Sequence, residues 1–88
     1  MGRAGAVGGV TFRKYFSPFY DTARRMIGLS PATVDHCISQ RATATMTGNV
    51  VTITEPGGGV TTGTFRFYHR GRVGRWVNEF NQRAALPQ

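Results

Sequence analysis

The chain has 88 residues and a formal net charge of +7, because it contains eleven lysine and arginine residues and only four acidic residues. A chain of this length forms one small domain with a limited core, and such domains often gain stability from a partner. The single cysteine, Cys37, excludes an internal disulfide framework, and no apolar run approaches the roughly 20 residues of a transmembrane helix. A small disulfide-rich secreted scaffold and an integral membrane protein are therefore not expected.

The first segment, residues 1–11, is rich in glycine and alanine and contains no acidic residue. Glycine resists regular packing, so we predict an extended basic arm here, followed by a single small α+β domain over residues 12–88. Acid-poor segments that carry arginine also occur in mitochondrial transit peptides. A basic tail and a transit peptide remain alternatives for this arm.

Two Ser-Pro pairs predict two short helices, because serine favours the N-cap and proline the first helical position. The first helix starts with Ser17 as N-cap and Pro18 as its first residue, and Gly28 suits its C-cap. The second helix starts at Ser30 and runs to about Gln40. The predicted apolar faces are Phe19, Ala23, Met26 and Ile27 in the first helix, and Val34, Cys37 and Ile38 in the second.

The composition changes after Arg41 to threonine, valine and isoleucine, which favour strands. Gly48 and Asn49 separate two such runs, and a glycine in first place suits a two-residue hairpin turn. The strand-forming residues of the two runs are Thr43, Thr45, Thr47, Val50, Val51, Thr52, Ile53 and Thr54.

A third strand is predicted from Val60 to His69, after a glycine-rich break. Phe65 and Phe67 alternate with polar residues along this run, so they are expected on one face of the sheet. The apolar residues of the second strand that share this face are Val51 and Ile53. The three runs together predict an antiparallel meander.

The last predicted element is an amphipathic helix that follows a basic turn from Arg70 to Arg72. Its apolar residues recur at helical spacing, and Pro87 lies beyond its end. These apolar residues are Val73, Trp76, Val77, Phe80 and Ala84. The predicted fold class is α+β: an extended N-terminal arm, two short helices, a three-stranded antiparallel meander and a C-terminal amphipathic helix that covers the sheet.

Four arginines fall within a short stretch and are interleaved with aromatic residues and a histidine; they are Arg66, Arg70, Arg72 and Arg75. Arginine beside aromatic residues is typical of a surface that contacts phosphates and stacks on bases. Two other interpretations fit the same residues. They can form a solvated edge that protects the last strand from aggregation, or a patch that docks an acidic protein.

The chain offers no pattern of a catalytic or metal site. The segment Pro56–Gly59 lacks the lysine and hydroxyl of a phosphate-binding loop and joins two strands. His36, Cys37 and His69 lack the spacing of metal ligands, and the four acidic residues lie on separate elements. We therefore predict no catalytic residue, no cofactor and no metal.

One stretch, from Gly9 to Tyr15, carries a more specific pattern: glycine, aliphatic, hydroxyl, aromatic, spacer, base, tyrosine. It resembles the N-terminal pattern of the epsilon subunit of mitochondrial ATP synthase, which leads into a short helix. Arg24 falls where that helix often carries arginine, and Asn49–Ile53 is similar to a short strand of the family. The matching positions of the first stretch are Gly9, Val10, Thr11, Phe12, Lys14 and Tyr15.

The resemblance implies a non-catalytic structural subunit of a membrane-associated, energy-converting complex, on the matrix side of the inner mitochondrial membrane. It implies that gamma- and delta-type central-stalk subunits, above the ring of c subunits, bind the residues Gly9, Phe12, Lys14 and Tyr15. Such a subunit supports rotary, proton-driven ATP synthesis without chemistry of its own. The alternative is a small basic rRNA-binding protein of an organellar ribosome, which would use the arginine cluster on phosphates.

Overall fold

The computed structural model describes residues 17–86, which form three α-helices, a short 3₁₀ helix and a three-stranded antiparallel sheet of order β1–β2–β3. The predicted α+β class and meander are confirmed, whereas residues 1–11 lie outside the described part. The elements are α1 (Tyr20–Ile27), α2 (Pro31–Ser39), β1 (Thr43–Thr47), β2 (Val50–Thr54), β3 (Val60–Thr64), the 3₁₀ helix (Phe67–His69) and α3 (Arg70–Ala85).

Helix α1 begins at Tyr20 and not at Pro18, so its predicted start is wrong. The Ser17 hydroxyl does not cap the helix, because it donates to Glu79 Oε1 at 2.7 Å. The Ser17 backbone N–H donates to Glu79 Oε2 at 2.7 Å. The predicted end is confirmed, since Gly28 closes the last turn in the left-handed conformation that glycine favours (φ 80°).

The later start of α1 also changes which side chains it buries. Phe19 is 56% exposed and Met26 is only partly buried, so both predictions for the apolar face are wrong. Tyr20 takes the buried place instead, and its ring stacks on Trp76 with centroids 5.5 Å apart. The buried residues of α1 are Tyr20, Ala23, Arg24 and Ile27.

Helix α2 matches its predicted start. The Ser30 hydroxyl oxygen accepts a hydrogen bond from the Thr33 backbone N–H at 3.1 Å, and Pro31 is the first helical residue. This is the N-cap arrangement that satisfies an amide at the start of a helix. The predicted apolar face is confirmed as well, since the buried residues of α2 are Val34, Cys37 and Ile38.

The predicted hairpin between β1 and β2 is confirmed. Thr47 pairs with Val50, which leaves Gly48 and Asn49 as a two-residue turn. Gly48 has φ 60°, and a positive φ in first place is what glycine supplies in this kind of turn. The side chains of β1 and β2 alternate between a buried inner face and an exposed outer face that is rich in threonine.

The third strand is shorter than predicted, because β3 ends at Thr64 and does not continue to His69. Phe65 is buried, and its N–H donates to the Asn49 carbonyl at 3.1 Å. The chain then leaves the sheet to begin the 3₁₀ helix. Phe67 is consequently 58% exposed, and its predicted place on the apolar face of the sheet is wrong.

Helix α3 supplies the centre of the core. The predicted basic turn is the first turn of this helix, which begins at Arg70. The helix packs against β1, α1 and α2. Its predicted apolar stripe is confirmed, with Val77 only partly buried; the fully buried residues are Val73, Trp76, Phe80 and Ala84.

Two polar contacts tie α3 to the edge of β1. The Asn81 side-chain amide pairs with both backbone groups of Ala44: Oδ1 accepts its N–H at 2.7 Å, and Nδ2 donates to its carbonyl at 2.9 Å. The Arg41 guanidinium donates to the Leu86 carbonyl at 2.8 Å, at the end of α3 where a cation is favoured. The outer edge of β1 is therefore occupied at Ala44.

Helix α1 approaches β3 closely at Gly63. A Cβ atom at this position would lie 2.6 Å from the Ile27 carbonyl oxygen, and closer still to Ile27 Cγ2. The obstruction includes backbone, so a side-chain rotation cannot relieve it. Glycine is therefore required here by packing.

We expect Gly63→Ala to destabilise the fold by about 1–3 kcal/mol or more, because the end of α1 must move away from β3. Gly74→Ala is the matched control, because its Cβ would meet only Met46 Cε at an ordinary 3.7 Å. Within a helix that change should stabilise by about 0.5–1 kcal/mol. Urea denaturation followed by circular dichroism measures both, and equal stability of the two variants would contradict this packing.

Candidate functional site

The candidate site is the segment 66–75, here called the basic–aromatic surface. The core fixes its orientation: because Val73 and Trp76 are buried, a helix of about 3.6 residues per turn directs its other side chains outward. The four predicted arginines are exposed: Arg66, Arg70, Arg72 and Arg75.

The structure does not bring these four arginines together in one cluster. Arg72 and Arg75 lie on one flank of the buried stripe of α3, and both line the same cleft. Arg70 lies on the opposite flank at the start of the helix, where its guanidinium sits 4.7 Å from the centroid of the Phe67 ring. Arg66 has an extended backbone conformation and directly precedes the 3₁₀ helix. The sequence predicted one cluster, whereas the fold presents a cleft and an aromatic tip.

The aromatic tip consists of Phe67, Tyr68 and His69. Phe67 is 58% exposed and Tyr68 is 75% exposed. The rings of Tyr68 and His69 are tilted against each other with centroids 4.5 Å apart. Large exposed aromatic side chains beside a guanidinium form an unusual surface for a solvated edge.

The basic–aromatic surface has one acidic neighbour at the cleft, because Glu79 lines the cleft together with Arg72 and Arg75. Glu79 receives both hydrogen bonds from Ser17, and Asp21 lies 3.8 Å from Arg24 Nε. Glu55 lies 3.4 Å from His36 Nε2. Among residues 17–86, no hydrogen bond or ion pair occupies the guanidinium groups of Arg66, Arg70, Arg72 or Arg75.

The cleft between the start of α1 and the flank of α3 has a volume of about 190 Å³. Two unpaired guanidiniums face it, and its base includes Trp76, which is 1% exposed. The Trp76 indole N–H is buried without a hydrogen-bond acceptor among residues 17–86. The cleft therefore carries two guanidinium groups and one carboxylate, and it is partly aromatic. Its lining residues are Ser17, Phe19, Ala23, Arg72, Arg75, Trp76 and Glu79.

Sequence reasoning found the two arginines of the cleft but missed Ser17, Phe19 and Glu79. These residues meet only because α1 packs beside α3, and no spacing in the sequence signals that contact. The stacking of Arg70 on Phe67 was also missed. Its signal was the three-residue separation, which places two side chains on one side of a helical turn.

The other candidate residues do not come together. His36 is exposed beside Glu55, Cys37 is buried in the core, and His69 contacts Tyr68. Within the described residues, no group of three or more histidine, cysteine or acidic residues could hold a metal ion. The absence of a catalytic residue, cofactor or metal stays a prediction.

The glycine-rich segment Pro56–Gly59 closes the hairpin between β2 and β3. The Glu55 N–H donates to the Gly59 carbonyl at 2.8 Å, and the Gly58 N–H donates to the Glu55 carbonyl at 2.9 Å. This confirms that it joins two strands. The predicted partner-binding residues Gly9, Phe12, Lys14 and Tyr15 lie outside the described residues.

Comparison with protein-family models, with curated proteins and with solved structures finds no match to this chain. None of the helices between residues 17 and 86 is long and apolar enough to cross a membrane.

Burial raises the pKa of the Cys37 thiol, although a hydrogen bond with the Thr61 hydroxyl (Sγ–Oγ1 3.9 Å) opposes this. We expect the native protein to react slowly with a thiol reagent at pH 8, because the nucleophilic thiolate is scarce. Stability relative to Cys37→Ala should fall as the pH rises above about 8.5, since folding disfavours the thiolate. Reaction rates with a disulfide reagent in native buffer and in guanidinium measure the first effect. Equal rates would contradict it.

Proposed function

We propose that this chain is an RNA-binding module that contacts single-stranded RNA through the basic–aromatic surface and the adjoining cleft. The observation that carries this proposal is the pairing of unneutralised guanidiniums with exposed aromatic rings, most directly Arg70 over Phe67. Single-stranded RNA offers phosphates for the first and unstacked bases for the second.

Phosphate binding is supported by an excess of positive charge, since two guanidinium groups and one carboxylate line the cleft. A protein that neutralises phosphates releases condensed counterions, which drives association and makes it dependent on salt. Arg72 and Arg75 line a cleft of about 190 Å³, which is large enough for a phosphate group. Guanidinium groups match phosphate oxygens in geometry as well as in charge.

Base stacking is supported by the aromatic tip. Phe67 and Tyr68 expose more than half of their area, so a stacked base would remove apolar surface from water. Stacking of a base on an aromatic side chain contributes about 1–3 kcal/mol and tolerates any base. The proposal therefore includes little sequence preference.

The matching experiment is fluorescence anisotropy of a labelled single-stranded RNA, titrated with the full chain at several salt concentrations. We expect Arg72→Ala to weaken binding and to reduce the slope of log K against log salt by about 0.7, the value for one phosphate contact. Phe67→Ala should weaken binding without changing that slope, because stacking releases no counterion. Arg25→Ala removes one exposed charge from α1, outside the surface, and should change neither property appreciably.

Two outcomes would contradict the proposal. Equal losses for Arg25→Ala and Arg72→Ala would show that binding follows the net charge alone. Absence of RNA binding at low salt, together with binding of poly-L-glutamate, would favour the acidic protein partner that the same arginines could dock.

A second candidate function is supported by the sequence pattern from Gly9 to Tyr15. In this proposal the chain is an epsilon-like structural subunit of mitochondrial ATP synthase, and this segment docks on the central stalk. Ser17, two residues after this pattern ends, donates two hydrogen bonds to Glu79 of α3, and these bonds fix the point where the segment joins the fold.

This candidate predicts that the tagged chain, purified from mitochondria of its native cell in mild detergent, recovers catalytic, central-stalk and ring subunits in constant proportion. Phe12→Ala and Tyr15→Ala should lose these subunits, because both residues lie in the docking segment. Tyr68→Ala, at the aromatic tip, is the control and should retain them. Mass spectrometry that finds ribosomal proteins and nuclease-sensitive RNA instead would exclude this candidate and favour RNA binding.

A further inference from the structure

The two edge strands of the sheet, β1 and β3, differ in how other parts of the chain contact them. At β1, the Asn81 side chain occupies the backbone N–H and carbonyl of Ala44 that face outward. At β3, the opposite edge, α1 contacts the strand through the buried side of the sheet at Gly63. One edge is therefore covered by a side chain, whereas the observed contact at the other lies on the buried face of the sheet.

Two hydrogen bonds at the ends of β3 show which of its backbone N–H and carbonyl groups point toward β2. Phe65 N–H donates to the Asn49 carbonyl, and Glu55 N–H donates to the Gly59 carbonyl. Odd-numbered residues of β3 are therefore bonded to β2. Because backbone groups alternate in direction along a strand, the three even-numbered residues direct theirs away from the sheet; these are Val60, Thr62 and Thr64.

These outward groups have no protein partner within residues 17–86. The side chains of the same three residues are exposed. The strand also lacks the usual protection of an edge, since Val60–Thr64 contains no lysine, no proline and no charge. A row of free backbone donors and acceptors is thus available for pairing with another strand.

We infer that β3 pairs antiparallel with β3 of a second copy of this chain, which would form a six-stranded sheet across a two-fold axis at Thr62. In this register Val60 lies opposite Thr64 of the second copy, and Thr62 lies opposite its own counterpart. All three outward residues then form hydrogen-bonded pairs. The same surface is used by both copies, as closed two-fold symmetry requires.

The strand that would pair is itself uncharged, so a second copy can approach it although each chain carries a net charge of +7. The paired strands are uncharged, so no like charges face each other across the contact. Arg66 would lie beside the glycine-rich loop of the second copy, which starts after Glu55. The two Arg66 residues would be about 27 Å apart at about 3.4 Å per residue, well beyond the Debye length in physiological salt.

Sedimentation velocity of the full chain, from micromolar to near-millimolar concentration, tests this inference. We expect a reversible dimer that strengthens as salt is added, because salt screens the repulsion between two basic chains. RNA binding should respond to salt in the opposite direction, so the two properties are separable. A wild-type chain that stays monomeric throughout would overturn the inference.

Charge substitutions at the two-fold position test the register. Thr62→Lys should abolish the dimer, because two lysines would face each other, and a mixture of Thr62→Lys and Thr62→Glu should restore it as a heterodimer. Thr45→Lys is the matched control: it lies in the same row of the exposed face, but on β1. Circular dichroism confirms that each variant folds.

Two further results would contradict the inference. A dimer that is lost in Thr45→Lys and kept in Thr62→Lys would place the contact on β1. Slow hydrogen exchange of the Thr62 and Thr64 amides in a monomer would show that the chain itself covers this edge.

Discussion

Burial of the apolar stripe of α3 is the constraint on which the rest of the structure depends. Trp76 is 1% exposed and lies between the rings of Tyr20 and Phe80, with centroid distances of 5.5 and 5.4 Å. With this side of the helix held inside, the helical period directs Arg72 to one flank and Arg70 to the other. The core of this small domain and the presentation of its positive charge are therefore set by the same packing.

Polar contacts between distant parts of the chain keep α3 in this position. Asn81 satisfies both outward backbone groups of Ala44, and Arg41 donates to the carbonyl of Leu86 at the end of the helix. Ser17 and Glu79 connect the start of the described fold to the middle of α3 and form one wall of the cleft. In such a small core, these contacts add specificity that apolar area alone does not supply. They also decide which edge of the sheet is covered.

The elements that sequence reasoning predicted correctly have local signals. The cap at Ser30 and the turn at Gly48 depend on neighbouring residues only. In α3, apolar residues recur at helical spacing over a long segment. The wrong boundaries depend on distant contacts: Ser17 donates to a carboxylate 62 residues away and so does not cap α1. Alternation at Phe65 and Phe67 suggested a strand, but the chain leaves the sheet there. The arginines of the candidate site were predictable from composition, whereas their division between cleft and aromatic tip required the packing of α1 on α3.

The most direct test of the account is an NMR titration of the ¹⁵N-labelled chain with single-stranded RNA. The chain contains one tryptophan, so its indole N–H gives a single resonance that reports on the base of the cleft. The account predicts shifts of that resonance and of backbone amides in residues 66–76 and near Ser17, with little change in the β1–β2 hairpin. Shifts confined to the threonine-rich outer face of the sheet, with the Trp76 indole unchanged, would contradict it.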